Sequence, residues 1–429
     1  MKRIVCFGPG PMFKGGIANY NISLAKALAR TGEAEVHIVS WTSQYPAIIP
    51  RDFLDRKSRT ESLLEGTNIL VHYLTNYNRP LSWYRTYQFI KKLNPHLVVF
   101  QWAIAIQGLP MGRIARWLCR NTKAEVIFDL HFVQQKEGSR LDRWFTRMGI
   151  KHAHTYIVHS IKTARELAAF FPSRTFALVD NRSHEVTKGN RKVIRLFHPV
   201  YDMFKPDPNF DVEAAKRQMN LRKYVFLFFG FIRKYKGLHN AIRAFHSLAD
   251  ERDDVSLLIA GESFWETLDA RRFTTRLKRV IFGALKSMFL NKESDERNYR
   301  PLELVAKLGL QDRVTIVNEF IPNEDVHKYF QVSDAILLFY ETATPSGVES
   351  IAYNFRMPIL ATCVGHFPDT VKDGYNGYLA APNDIESMAS AMRKAIEKPI
   401  PRENVADTSR KMSWDNYARA VLGTNGTSA

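Results

Sequence analysis

Two glutamates with seven residues between them bracket the stretch Glu341-Thr342-Ala343-Thr344-Pro345-Ser346-Gly347-Val348-Glu349, which follows an apolar run and leads into the helical segment Ser350 to Tyr353. Such a loop has chemistry to offer. One carboxylate can hold a sugar hydroxyl, the amides of Ser346, Gly347 and Val348 near a helix N-terminus can hold a phosphate, and the other carboxylate can hold a ribose. The plainer use of Glu349 is to sit at the positive end of the helix, where an acid contributes roughly 0.3–1 kcal/mol. A second loop, Phe229-Gly230-Phe231-Ile232-Arg233-Lys234-Tyr235-Lys236-Gly237-Leu238, also joins an apolar strand to a helix. Arg233 with its fork of donors and Lys236 as a point charge suit a diphosphate, and the same residues would also serve as a solvated basic turn. A third loop carries Gly8-Pro9-Gly10 and then Lys14-Gly15-Gly16-Ile17. Glycines there let backbone N–H groups approach an anion at a helix start. A nicotinamide-binding Rossmann loop is the competing reading, against which the second strand ends Val39-Ser40-Trp41 with no acid to hold a ribose.

These loops need strands and helices to aim them. Short apolar runs rich in β-branched residues alternate with helical-period segments, the pattern of parallel strands covered on both faces. In the first half the predicted strands are 3–7, 35–40, 69–73, 97–101, 125–130, 156–159 and 192–196. After Pro199 and the polar stretch Asp202 to Asp211 the pattern restarts, with strands at 224–229, 255–260, 313–317, 335–339, 358–362 and 377–380. The fold class is therefore α/β, with two doubly wound, Rossmann-like domains, residues 1–200 and 201–405, and a tail, 406–429, whose helical segment Trp414 to Leu422 is expected to pack back on the first domain. Ligands of such sheets sit beyond the carboxyl ends of the strands, so the cleft the domains share is the expected site.

Composition narrows the class. With 429 residues, 45% apolar and 24% charged, the chain reads as an ordinary folded globular protein. Its charge is uneven: residues 1–200 hold 30 Lys and Arg against 13 acids, the rest 31 against 30. One domain thus faces an anionic partner such as phosphate, nucleic acid or lipid headgroups. Arg113, Arg116, Arg120 and Lys123 form one helical stripe, and Arg140, Arg143, Arg147 and Lys151 form another beside Trp144, Phe145 and Met148. Residues 271–292 carry seven Lys and Arg and no acid among apolar side chains, as an amphipathic interfacial helix, a core-covering helix or an oligomer contact would. A nucleic-acid-binding protein would also use a basic half, but no nucleic-acid module is recognisable and the glutamate pair would be idle. Cys6, Cys119 and Cys363 fit no metal spacing, no Asp-x-Asp occurs, and a protein-held metal is not expected. No apolar run reaches the about 18 residues of a membrane span, and a reducing, cytoplasmic setting is expected.

The residues from Glu341 to Glu349, with Pro358-Ile359-Leu360-Ala361-Thr362 and Gly374-Tyr375-Asn376-Gly377, resemble the signature region of the retaining nucleotide-sugar glycosyltransferases of family four, group 1 type. Gly15-Gly16 is similar to that family's first-domain glycine loop, Phe128-Asp129-Leu130-His131 to its catalytic histidine segment, and Gly230 to Gly237 to its phosphate loop. The resemblance implies a GT-B fold, an acceptor-binding first domain and a donor-binding second domain. It implies catalytic roles for His131, Arg233, Lys236 and Glu341, and donor contacts from Gly16, Arg233, Lys236, Ile321, Glu341, Ser346, Gly347, Val348 and Glu349, with Glu341 on the sugar and Glu349 on the ribose. The family's usual Arg after the first glycine is Phe231 here, so either Arg233 substitutes for it from two positions on or the pair is incomplete. His131, which taken alone reads more as a structural histidine than a catalytic one, takes on by the resemblance a hydrogen bond to the transferring sugar or acceptor. A nucleoside diphosphate sugar, a lipid-linked or envelope-polysaccharide acceptor, no cofactor and peripheral attachment to the inner membrane face complete the expectation.

Overall fold

The structure is a computed structural model that describes residues 1–45, 54, 64–133, 140–200, 204–263, 299–343 and 347–424. Ser346 and the basic segment 271–292 lie outside these residues. The chain divides into two compact units: the first holds Met1–Pro199 and the C-terminal segment from Ser413, the second begins at Val200 and ends at Met412.

In the first unit the strands are β1 (Lys2–Phe7), β2 (Ala34–Ser43), β3 (Leu70–Asn76), β4 (Leu97–Trp102), β5 (Glu125–Leu130), β6 (Thr155–Val158), β7 (Phe176–Val179) and β8 (Arg191–Arg195). They form one parallel sheet in the order β3-β2-β1-β4-β5-β6-β8-β7. Its central strands are buried along their length, which only helices on both faces can achieve. The helices are α1 (Gly16–Arg30), α2 (Pro80–Leu93), α3 (Gly108–Asn121), α4 (Arg140–Ile150) and α5 (Ile161–Phe170). The core shows what aligns the carboxyl ends: Trp41, Phe7, Phe100 and Phe128 touch in turn across β2, β1, β4 and β5, with centroids 5.3, 4.8 and 4.9 Å apart. Each such aromatic pair adds about 0.5–1.5 kcal/mol beyond its buried area.

A C-terminal helix, Trp414–Leu422, completes this unit by packing on α1. Ser413 caps its start by accepting from the Asn416 amide. At its far end Arg182 donates to the carbonyls of Val421 and Leu422, which the helix itself leaves unpaired.

The second unit has β9 (Tyr224–Phe229), β10 (Val255–Ala260), β11 (Val314–Val317), β12 (Ala335–Leu338), β13 (Ile359–Thr362) and β14 (Gly377–Ala380), parallel and ordered β11-β10-β9-β12-β13-β14. Strand order reverses beside β9, the position at which open α/β sheets bind ligands. Helix α6 (Leu238–Glu251) follows β9, α7 (Gly347–Asn354) follows β12, and α8 (Ile385–Glu397) packs on α6, where Arg393 pairs with Glu251. Every predicted strand is present; β7, a four-residue edge strand with only partly buried side chains, carries too little hydrophobic pattern to be seen in advance.

Candidate functional site

In the second unit, two loops meet at the carboxyl ends of the neighbouring strands β9 and β12. The loop after β9 makes a short 3-10 turn over Lys234–Lys236 and hands over to α6 at Gly237. Gly237 has φ +66, and a Cβ there would lie 2.0 Å from the Phe339 carbonyl oxygen, so only glycine allows the two loops to touch. The amide of Glu341 then donates to the Tyr235 carbonyl at 2.8 Å, tying the start of one loop to the turn of the other.

This docking buries Lys236, which is 7% exposed. Its ammonium lies 5.8 Å from the Tyr340 ring centroid, and a Cβ at Gly230 would be 3.2 Å from Nζ and 3.3 Å from Val348 Cγ2. Gly230, Lys236 and the first turn of α7 therefore surround one spot. Burial, and then the charge of Arg233, push the Lys236 pKa down to about 7. A buried cation with a like charge beside it is a strong receptor for an anion. Arg233 itself is half-buried, its guanidinium 5.4 Å from the Tyr235 ring.

Glu341, on the loop tied to the Lys236 turn by its own amide, is partly exposed, with His239 Nε2 3.4 Å from its Oε1. Burial, with Arg243 and Lys234 adding to it, pushes the His239 pKa down to about 4, so this contact is not an ion pair at neutral pH. Burial also lifts the Glu341 carboxyl above its usual range, with Lys234 pulling the other way. Glu349 differs from Glu341: it is 4% exposed in the first turn of α7, and its carboxylate accepts from His366 and Thr370. Ile321 is buried past the end of β11, two strands away from β9 in the sheet.

The first unit carries a separate cluster. Asp129, the fifth residue of β5, is completely buried and accepts from His159 Nε2 and from the Tyr417 hydroxyl of the C-terminal helix, both at 2.9 Å. Burial pushes its carboxyl up, but His159, His131 and Tyr417 outweigh that and hold it below its usual value. His131, just past the strand, shares Nε2 with Gln101 Oε1 at 2.9 Å and meets the Tyr20 ring edge-on at 4.6 Å. Burial, reinforced by His159 against the pull of Asp129, lowers its pKa to about 4 and leaves it a neutral hydrogen-bonding group. Gly16 opens α1, and Gly15 before it has φ +104, with nothing within 4 Å of where a Cβ would be among the described residues.

Of the predicted residues, Lys236 and Val348 come together around Gly230, with Arg233 and Glu341 in the same pair of loops. His131 and Gly16 belong to the other unit. The partners His366, Thr370, His239, Gln101 and Tyr417 carry no sequence signal of their own, being joined to their sites only by the fold.

Comparison with known proteins gives this geometry a family. A model described as "Glycosyl transferases group 1" matches residues 209–412, and one described as "Glycosyltransferase Family 4" matches residues 14–181. The N-acetyl-alpha-D-glucosaminyl L-malate synthase of Bacillus anthracis is 21% identical over 241 residues, covering 55% of this chain and 53% of its own. The D-inositol 3-phosphate glycosyltransferase of Corynebacterium aurimucosum is 26% identical over 225 residues, 50% of this chain and 46% of its own. The chain thus spans about half the length of the curated relatives it matches. Among solved structures, Anabaena HepE in complex with UDP-glucose superposes with a TM-score of 0.65 at 15% identity, covering 97% of this chain and 98% of its own. Sucrose-phosphate synthase from Thermosynechococcus elongatus gives 0.59 at 17% identity, covering 97% and 96%. The fold is GT-B, and with family models matching both units the chain belongs to the group 1, family 4 glycosyltransferases.

Proposed function

We propose that the protein transfers a hexose-type sugar, with retention and without a metal, from a nucleoside diphosphate to an acceptor hydroxyl. The observation that carries this reading is the single spot ringed by Gly230, Lys236 and the start of α7, in the pair of docked loops that also carries Glu341. The diphosphate leaves with developing negative charge. Lys236, Arg233 and the α7 amides supply preorganised stabilisation exactly where a metal would otherwise be needed. Glu341, with its raised carboxyl pKa, accepts from a hydroxyl of the donor sugar, and Glu349 from the ribose. Retention follows if the departing phosphate takes the acceptor proton on the face from which the acceptor attacks. His131, neutral and hydrogen-bonded to Gln101, orients the transferring sugar or the acceptor. Solved relatives bound to UDP and UDP-glucose make uridine diphosphate sugars the first donors to assay.

The test is turnover with a panel of nucleotide sugars in EDTA, with the anomeric product read by NMR. Retained configuration and unchanged rate in EDTA are expected, and Glu341→Gln folds normally and turns over roughly a hundredfold more slowly. Metal dependence, an inverted product or a fully active Glu341→Gln would refute the reading.

We infer further that the acceptor is lipid-linked or an envelope saccharide, met at an anionic membrane face. Among the described residues no helix is long and apolar enough to cross a membrane. Attachment would instead use α4, where Leu141 and Trp144 are 45% and 49% exposed between the exposed Arg140, Arg143 and Arg147. A groove of about 410 Å³ beside it is lined by Arg143, Trp144, Arg147, Glu166, Ala169 and Phe170, two cations against one acid. Cations flanking an exposed tryptophan are the chemistry of an interface between water and anionic lipid.

A further inference from the structure

The Glu349 carboxylate is engaged before any ligand arrives. His366 Nε2 donates to Oε2 and Thr370 Oγ1 to Oε1, both at 2.5 Å. His366 is 3% exposed, and its Nδ1 is buried without a hydrogen-bond partner among the described residues. Both donors sit on backbone that is itself held. Gly365, before His366, has φ +62, and a Cβ there would lie 2.1 Å from the Ala343 carbonyl oxygen, pressing this loop against the one that carries both glutamates. The Thr370 carbonyl accepts from the Tyr353 hydroxyl and from Asn376 Nδ2, each at 2.9 Å.

An ionised carboxylate offers about four lone-pair sites, two on each oxygen. His366 and Thr370 take one from each oxygen. The Tyr353 hydroxyl, which donates to the Thr370 carbonyl, also borders this carboxylate, and the lone pairs that the two donors leave on Oε1 and Oε2 suit two hydroxyls on neighbouring carbons. We propose that His366, together with Thr370, is a positioning residue that presents Glu349 to the 2′- and 3′-hydroxyls of the donor ribose, and thereby makes the site select ribonucleotides over 2′-deoxyribonucleotides. The proposal rests on the nucleotide-sugar reading above. A site built to pair with a hydroxyl rejects the analogue that lacks it, because its own polar group is then left unpaired. If His366 only filled space, its loss would loosen the whole loop and weaken every ligand alike.

Calorimetry on the full chain separates these cases. The probes are UDP, 2′-deoxy-UDP and inorganic pyrophosphate, with GDP and ADP and their deoxy forms run in parallel. Wild type is expected to favour the tightest ribonucleotide over its deoxy form by at least about tenfold. His366→Leu brings that ratio close to one by weakening the ribonucleotide, leaves pyrophosphate affinity unchanged, and is partly rescued by His366→Gln, which restores a donor. Thr370→Val, close in shape, narrows the ratio in the same direction and carries the test should His366→Leu not fold. An undiminished ratio in both variants overturns the proposal, as does an equal loss of pyrophosphate and nucleotide binding. Wild type binding pyrophosphate and nucleotides not at all would overturn the nucleotide-sugar reading itself.

Discussion

The two units share one architecture and put opposite things at the ends of their strands. In the second, glycine lets two loops touch and a lysine is buried with an arginine close enough to lower its pKa, so positive charge is concentrated. In the first, a carboxylate is buried and answered on the spot by His159 and Tyr417, and the nearby His131 stays neutral. Desolvation lowers the pKa of both Lys236 and His131. What differs is the neighbour: the Asp129 carboxylate accepts hydrogen bonds from His159 and Tyr417, whereas Lys236 has the like charge of Arg233 beside it. A parallel sheet offers the same geometry to both, so the chemistry belongs to the loops rather than to the fold.

The comparison breaks first at Asp129. Removing one member of a buried, paired cluster leaves its partners uncompensated, so Asp129→Ala is expected to destabilise the first unit by roughly 3–5 kcal/mol, measured by denaturant unfolding. A loss below about 1 kcal/mol would mean that the cluster is not self-satisfied. Next comes the outer charge of the first unit, carried by exposed arginines of α3 and α4, of which those on α4 flank an exposed tryptophan. Each arginine near an anionic leaflet contributes about 1 kcal/mol, so the double change Arg143→Ser, Arg147→Ser should lower partitioning onto phosphatidylserine vesicles roughly thirtyfold at low salt. Equal binding of wild type to neutral vesicles would remove the lipid surface from the account.

The smallest effect is the most diagnostic. With its pKa lowered to about 7, Lys236 is largely neutral in the free protein at pH 8. A bound diphosphate restores the charge, so binding takes up a proton, and affinity falls as pH rises above about 7. Calorimetry in two buffers of different ionisation enthalpy should show a fractional uptake at pH 8 that vanishes in Lys236→Met. Uptake persisting in that variant would mean another group titrates.

How much of this was legible beforehand depended on distance along the chain. Lys236 and Glu341 could be placed at strand ends because each follows its strand within a few residues, where an apolar run gives way to glycine and charge. The parallel sheets were legible for the same reason, since strands buried on both faces read as unbroken apolar runs. The engagement of Glu349 was not, because His366 lies 17 residues on and Thr370 21, beyond a further strand. Asp129 and Tyr417 are 288 residues apart, and no periodicity joins them. Charge counts located the basic half but not its surface; burial separates the exposed arginines of α4 from the fully buried Asp129 cluster.

The Tyr417–Asp129 bond also sets an order of events during synthesis. The first unit needs a helix that leaves the ribosome only after the whole second unit has been made, whereas the second is contiguous from Val200 to Met412 among the described residues. Domains form as they emerge. The second unit can therefore finish while the first is still waiting with its α1 face uncovered. A nascent chain arrested just after Met412 should resist protease in its second half and yield in its first.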